Sequence, residues 1–475
     1  MNEFLVWVKL INGKLNAFAW GPVMLILLVG TGVYLTVRTH CIQVTKFGYI
    51  MKNTVGSLFR KKGKDHGSNL SPFQAVTTAL AGTVGTGNIA GVTGALFMGG
   101  PGAVFWMWVS AFFGMCTKYA EIALAVKFRV IDEKGVHKGG PMYYIETGLG
   151  KNWKWLAVIF AALGGLASFG IGNIAQTNEI AGAVVGLAGV TGEQQIKTVS
   201  LIVGIVLAIV VAIVILGGVK RIGQVTSYLV PFMAIFYILA GLVLIVMSIP
   251  RLPAAFGAIF SNAFSLRSVG SGIFGYAIML AMKNGFARGV FSNEAGLGSA
   301  PIAHAASSTD EPAEQAMWGV FEVFIDTIVI CTITALAVIL SGVLDTTGGL
   351  SAFASKGAAA AAAFNTILPG TIGGIIIQIS LIFFALSTIL SWSYYGERCW
   401  GYLSHDNKVV GLIYKIIFIL VCIVGATGSG TLMWDISDTL NALMALPNLV
   451  ALLLLSGTVA AITKDYFRKG QPARL

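Results

Sequence analysis

Long apolar runs govern what this chain can become. A helix needs about 20 such residues to cross the hydrocarbon core of a bilayer, and roughly eleven stretches of that order follow one another along the sequence. They fall at 20–37, 72–98, 102–128, 155–185, 199–217, 222–247, 269–291, 317–341, 371–394, 409–426 and 440–462. Of 475 residues, 56% are hydrophobic and 11% charged, against about 25% charged in a soluble domain. An all-α, multi-pass integral membrane protein is expected, because in lipid a helix satisfies its own backbone. The net charge of +11 does not indicate nucleic acid. Its lysines and arginines lie in the connections between apolar runs, as in proteins oriented by positive cytoplasmic loops.

The second run makes a poor helix. Within Ala81, Gly82, Thr83, Val84, Gly85, Thr86, Gly87 and Asn88, three glycines and two hydroxyls interrupt it. Glycine costs about 1 kcal/mol against alanine in a helix interior. A helix that opens at bilayer depth frees N–H and C=O groups that lipid cannot satisfy, so it must face protein, an ion or a polar cavity. Freed amides suit a carboxylate and freed carbonyls suit a cation. Close helix packing through small residues is the other use of such a stretch.

Orientation follows from charge. With the loop at Arg60, Lys61, Lys62 and Lys64 in the cytoplasm, the connections at 127–154, 220–221, 304–314 and 398–408 and the tail 464–474 also fall inside. The outside connections hold few bases: Lys197, Arg251, Arg267 and Lys356. The segment 304–314 is acidic and does not fit the trend. The N-terminus is expected outside the cell membrane and the C-terminus in the cytoplasm. Residues 1–14 read as a mixed-charge lead, and 17–37 as a retained span rather than a cleaved signal. The alanine-rich stretch 351–364 reads as a short helix over the outer face or a plain surface helix.

Residues 1–71 hold one extra span and the basic loop. Two groups of about five spans follow, at 72–268 and 269–475. An odd number of crossings gives the halves opposite orientation, and each half begins with a glycine-interrupted run. That is the pattern of inverted repeats around a midplane site. The matching break in the second half is expected near Phe274, Gly275, Tyr276, Ala277 and Ile278, or at Lys283, Asn284 and Gly285.

Other polar groups could close such a site. Gln176 stands with Asn173, Asn178 and Glu179 in the fourth run; it can bind a ligand or bridge helices. Ser387 and Thr388, three and four residues after Phe384, converge on that residue's carbonyl. Neutral oxygens of this kind suit a hard cation such as sodium. They also bond back to their own helix. Ionisable residues within the runs are Glu121, Glu179, Lys283, Arg288, Glu322 and Asp326. Glu322 and Asp326, one turn apart, are expected to pair with Lys283 or Arg288 in a structural or gating role. His304 is placed near the surface with no role. Five scattered cysteines show neither metal spacing nor a disulfide framework. No phosphate-binding loop or zinc spacing is present, so an enzyme or ATP-driven pump is not expected.

The segments 77–92 (TTALAGTVGTGNIAGV), 139–145 (GGPMYYI) and 284–301 (NGFARGVFSNEAGLGSAP) carry a resemblance. The chain resembles the alanine/glycine:cation symporter family over nearly its whole length. That resemblance implies a LeuT-like (APC-type) fold, a 5+5 inverted repeat preceded by one extra helix. It implies symport of alanine or glycine with Na+, or less often with protons, and a protein functional as a monomer in membrane lipid, without organic cofactor or nucleic acid. Carried onto these positions, Na+ would be held by carbonyls of Ala81, Val84 and Phe384 and hydroxyls of Ser387 and Thr388. The substrate carboxylate would lie on amides around Thr83, Gly85, Thr86 and Gly87, beside Asn88. Phe274, Gly275 and Ile278 would limit side-chain size, and Gln176 would supply a polar contact. The tyrosine that other families use for the carboxylate has no match in the fourth run. The expected activity is import of small neutral amino acids by alternating access. Proton-coupled symport is one alternative, and a membrane amino-acid sensor another, though the chain offers no sizeable soluble output domain.

Overall fold

The computed structural model describes residues 3–59, 69–133, 135–264, 273–346, 349–428 and 430–468. The loop at Arg60–Lys64 and Arg267 therefore lie outside the described residues. Among those described, the only strands are the short antiparallel pair Val130–Ile131 and His137–Lys138. Nine helical segments there are long and apolar enough to cross a membrane: Trp7–Arg38, Gly102–Lys127, Lys151–Ala188, Glu193–Ile215, Gly218–Met247, Pro312–Ser341, Ile372–Leu403, Lys408–Thr427 and Asp435–Leu454. Their outward faces are apolar; Ile202, Ile205, Ile209 and Ile213 form an exposed stripe at helical spacing on Glu193–Ile215. Charged groups such as Lys118, Glu121, Glu322 and Asp326 are buried instead. That inside-out distribution suits lipid as solvent.

The first broken helix is the pair Pro72–Thr83 and Ala90–Gly99, joined by a 3₁₀ turn at Thr86–Asn88. Its start is well specified: Pro72 opens it, and Ser71 and Gln74 exchange reciprocal capping bonds. The helix unwinds at Val84 and Gly85, within the stretch expected from its glycines.

The second break is not where the sequence suggested. Ile273–Asn293 is one continuous helix, so there is no opening at 274–278 or at 283–285. The glycines there serve packing. A Cβ on Gly285 would stand 2.5 Å from the Ala103 carbonyl, and one on Gly289 3.1 Å from Ser110. Gly285 and Gly289, four apart, let this helix lie close against Gly102–Lys127. The chain opens only after Asn293, where Glu294, Gly296 and Gly298 take φ of 57°, 93° and 83°. It resumes as the short helix Ala300–Ala305.

Two further helices carry π turns, at Gly170–Ile174 and Phe324–Cys331. Such turns displace backbone groups from the regular ladder and are common at functional sites. Residues 3–14, expected as a charged lead, belong to the helix Glu3–Ala19. It lies against Gly430–Leu454, with Asn16 donating to Thr439 at 3.0 Å. The alanine-rich stretch forms the helix Lys356–Ile367.

Candidate functional site

The first break is held open by its neighbours. Asn88 Oδ1 accepts the Gly85 amide at 2.8 Å, and Asn88 Nδ2 donates to Asp326 at 2.6 Å. Thr334 Oγ1 donates to the Asn88 carbonyl at 2.7 Å. The amides of Thr86 and Gly87 form no hydrogen bond with the described residues. These free donors are what a carboxylate requires. The Asn88 side chain, expected to meet substrate, is instead occupied in shaping the loop, and so is the Gly85 amide. Thr83 is buried, with its hydroxyl returned to Ala79 and Leu80.

Gly85 has φ −136° and ψ −158°, an extended conformation open to any residue. Its glycine is demanded by proximity: a Cβ there would lie 2.4 Å from Thr388 Oγ1. A Cβ on Gly87 would lie 3.2 Å from the Phe291 ring.

The oxygens expected to hold a cation lie close together. Ser387 Oγ lies 3.3 Å from the Ala81 carbonyl and 2.8 Å from that of Phe384, and Thr388 Oγ1 lies 3.0 Å from the latter. Ser391 Oγ donates to Thr78 at 2.6 Å, fastening helix Ile372–Leu403 to the first broken helix. Val84 caps that helix one turn beyond Ala81. The fit is chemical: neutral hydroxyls and carbonyls meet at an unwound helix end, a donor set suited to a hard monovalent cation.

Between the breaks lies a small cavity. Gln176 forms part of its wall; its Oε1 accepts from Thr86 at 3.0 Å while its Nε2 donates to the Ile171 carbonyl at the π turn. Phe291, Glu294, Trp392 and Asn441 also line the cavity and escaped sequence reasoning. Glu294 accepts from Trp392 Nε1 at 2.9 Å and from Ser299 at 2.6 Å. Asn441 Oδ1 is buried with no partner among the described residues, so it remains an open acceptor at the cavity wall. Trp392 was within reach of the sequence, since it follows Thr388 by four and shares its face. The structure does not bring Ile278 to this cavity; it is half-buried on the continuous helix. Phe274 and Gly275 lie on the same helix, with side chains outside the described residues.

The charged groups do not pair as expected. Glu322 faces Lys118 at 3.7 Å and His304 at 2.7 Å. His304 is fully buried rather than near the surface. Lys118 also donates to the Asn293 carbonyl at 2.8 Å, and Glu121 Oε1 accepts the amides of Gly296 and Gly298 at 3.1 and 3.0 Å. Helix Gly102–Lys127 thus satisfies the backbone freed by the second break. Asp326 is held by neutral donors: Asn88, Ser292 at 2.9 Å and Thr327 at 2.7 Å.

Two sets of contacts tie together the elements around the cavity. On one side Arg288 pairs with Asp438 at 3.4 Å and lies 5.1 Å over the Phe291 ring. On the other, Leu70 exchanges backbone bonds with Ala306 and Ser308, and Arg129 grips Ser307, Thr309 and Asp310. Arg129 loses water in this contact, which lowers its pKa from the usual arginine value.

The sequence model of the sodium:alanine symporter family matches residues 5–474. The chain is 50% identical over 464 residues to the sodium/alanine symporter AgcS of Methanococcus maripaludis, covering 97% of each. It is 37% identical over 466 residues to the putative sodium/proton-dependent alanine carrier protein YrbD of Bacillus subtilis, covering 96% and 92%. It is 35% identical over 460 residues to the probable sodium/glutamine symporter GlnT of the same organism, covering 97% and 91%. Among solved structures, MhsT in complex with L-phenylalanine superposes with a TM-score of 0.60 at 17% identity, covering 85% of this chain and 93% of that one. That likeness identifies the fold as leucine-transporter-type.

Proposed function

This chain belongs to the sodium:alanine symporter family, and we propose that it imports alanine, and glycine with it, coupled to Na+ by alternating access. It is a multi-pass membrane transporter, not an enzyme. The observation that carries the reading is the contiguity of two sites on one broken helix. Ala81, Phe384, Ser387 and Thr388 present oxygens to a cation, and the free amides of Thr86 and Gly87 follow within a turn and a half. A cation bound at the first orders the backbone that receives the carboxylate at the second. The ammonium then finds Asn441 Oδ1 and the Glu294 carboxylate. Phe291 and Trp392 wall the cavity and would limit the side chain it accepts. The contacts at Arg288–Asp438 and Leu70–Ser308 support a carrier that opens one side at a time.

In this reading the chain comprises one extra N-terminal span, five spans over 72–268 and five inverted spans over 269–475. The N-terminus lies outside, the C-terminus in the cytoplasm, and the monomer is the working unit. Uptake of labelled alanine into proteoliposomes tests it: a sodium gradient should drive accumulation, and its collapse should abolish it. Buried Asp326, facing neutral donors only among its hydrogen bonds, favours one second reading, in which protons replace Na+. A pH gradient in sodium-free buffer would then drive uptake.

A further inference from the structure

We infer that a groove at the basic end of the bundle binds one anionic phospholipid through its phosphodiester. The groove, of about 360 Å³, lies between the end of Pro22–Arg38, the short helix Ile42–Thr45 and the last described helix, Ser456–Arg468. Its floor is apolar, made by Ile42, Ala460, Ala461 and the Phe467 ring, and its rim carries Arg38, Lys46 and Lys464, with His40 beside them.

Three observations support this occupant. Arg38, Lys46 and Lys464 are exposed, and none forms an ion pair among the described residues. Elsewhere at this end, Lys138 meets Asp132 and Asp406, and Lys415 meets Glu397. The one carboxylate next to the rim in sequence, Asp465, is paired with Arg468 at 3.7 Å. The Lys46 ammonium lies 5.1 Å over the Phe467 ring, a contact that places its charge at the groove. Second, the rim stands where the span Trp7–Arg38 ends, and the end of a span meets the headgroup region. Tyr49 and Tyr466, joined through their hydroxyls at 3.0 Å, mark the same level, where aromatic rings with polar tips collect. Third, the floor is apolar. An inorganic phosphate would use the rim alone, whereas an acyl chain covers the floor while its phosphate meets the guanidinium and the two ammoniums. The membrane supplies that lipid at the height of the groove. A zwitterionic lipid brings its own cation and gains less from three unpaired bases.

Each basic residue at an anionic membrane surface strengthens binding by about fivefold. The full chain is reconstituted in equal parts of phosphatidylglycerol and phosphatidylcholine, extracted into mild detergent, and its retained lipid counted by native mass spectrometry. The expected result is one phosphatidylglycerol per chain, in about tenfold or greater preference over phosphatidylcholine, unaffected by millimolar inorganic phosphate. Arg38→Gln/Lys464→Gln should reduce that retention by about 25-fold, while Lys408→Gln, on a surface away from the groove, should leave it unchanged. Equal retention of both lipids, displacement by inorganic phosphate, or full retention by the double variant would each overturn the site. The lipid comparison uses the unaltered chain, so it decides even if the double variant fails to fold.

Discussion

Gly85 shows at the scale of one residue how this site works. Its backbone conformation is available to any amino acid, yet a Cβ would lie 2.4 Å from Thr388 Oγ1. Gly85→Ala should therefore abolish sodium-dependent alanine binding, measured by titration calorimetry, while the purified protein remains a monodisperse peak in detergent. Thr388→Ala removes one cation oxygen without stranding a buried charge. It should raise the sodium concentration for half-maximal alanine uptake about tenfold, roughly 1.4 kcal/mol, while Thr388→Ser, which keeps the hydroxyl, should match the parent. Phe291 lines the cavity and Ile278 does not, so under the proposed function selectivity is expected to rest on Phe291. Phe291→Ala should admit serine and valine, since a methylene in such a pocket is worth about 1–3 kcal/mol, whereas Ile278→Ala should leave the substrate profile unchanged in competition uptake. A widened profile for Ile278→Ala with none for Phe291→Ala would return the second break to its sequence-expected place. The oxygens of Ser387 and Thr388 were legible in advance because two hydroxyls at helical spacing stay on one face wherever the helix goes. Glu294 and Asn441 were not, because their approach to the cavity depends on a loop and on a distant helix.

Among the elements, Gly102–Lys127 is the support on which the second break depends. Its Lys118 and Glu121 hold the Asn293 carbonyl and the Gly296 and Gly298 amides, and Lys118 also faces Glu322 with both side chains fully buried. Lys118→Met leaves buried Glu322 with His304 alone beside it and should destabilise the protein by about 3 kcal/mol, read as loss of folded protein after detergent extraction. Lys118→Met/Glu322→Gln removes the stranded charge and should recover part of the loss. The same helix receives Gly285 and Gly289. Gly285→Val drives a side chain into the Ala103 carbonyl and should cost about 1–3 kcal/mol through overpacking, visible as a lowered melting temperature.

For the molecule as a whole, the two sites on one broken helix must be linked. Sodium at saturating concentration should tighten alanine binding, and alanine should tighten sodium binding by the same factor; equilibrium titrations in both directions check this equality. The sequence by itself determined the membrane-spanning class and the first break. Hydropathy over about 20 residues is a property of a segment whatever surrounds it, and the glycines and hydroxyls at 82–88 weaken a helix locally. Helical spacing also placed Ser387 and Thr388 together over the Phe384 carbonyl. Only the tertiary structure decided where the second half opens and which charges meet. Glycine at 285 and glycine at 296 read alike in a list of residues. The first is opposed by the Ala103 carbonyl and packs a continuous helix; the second, at φ 93°, has its amide taken up by Glu121 and lets the chain turn. A glycine's part is set by what stands across from it, and in this chain that neighbour is more than a hundred residues away.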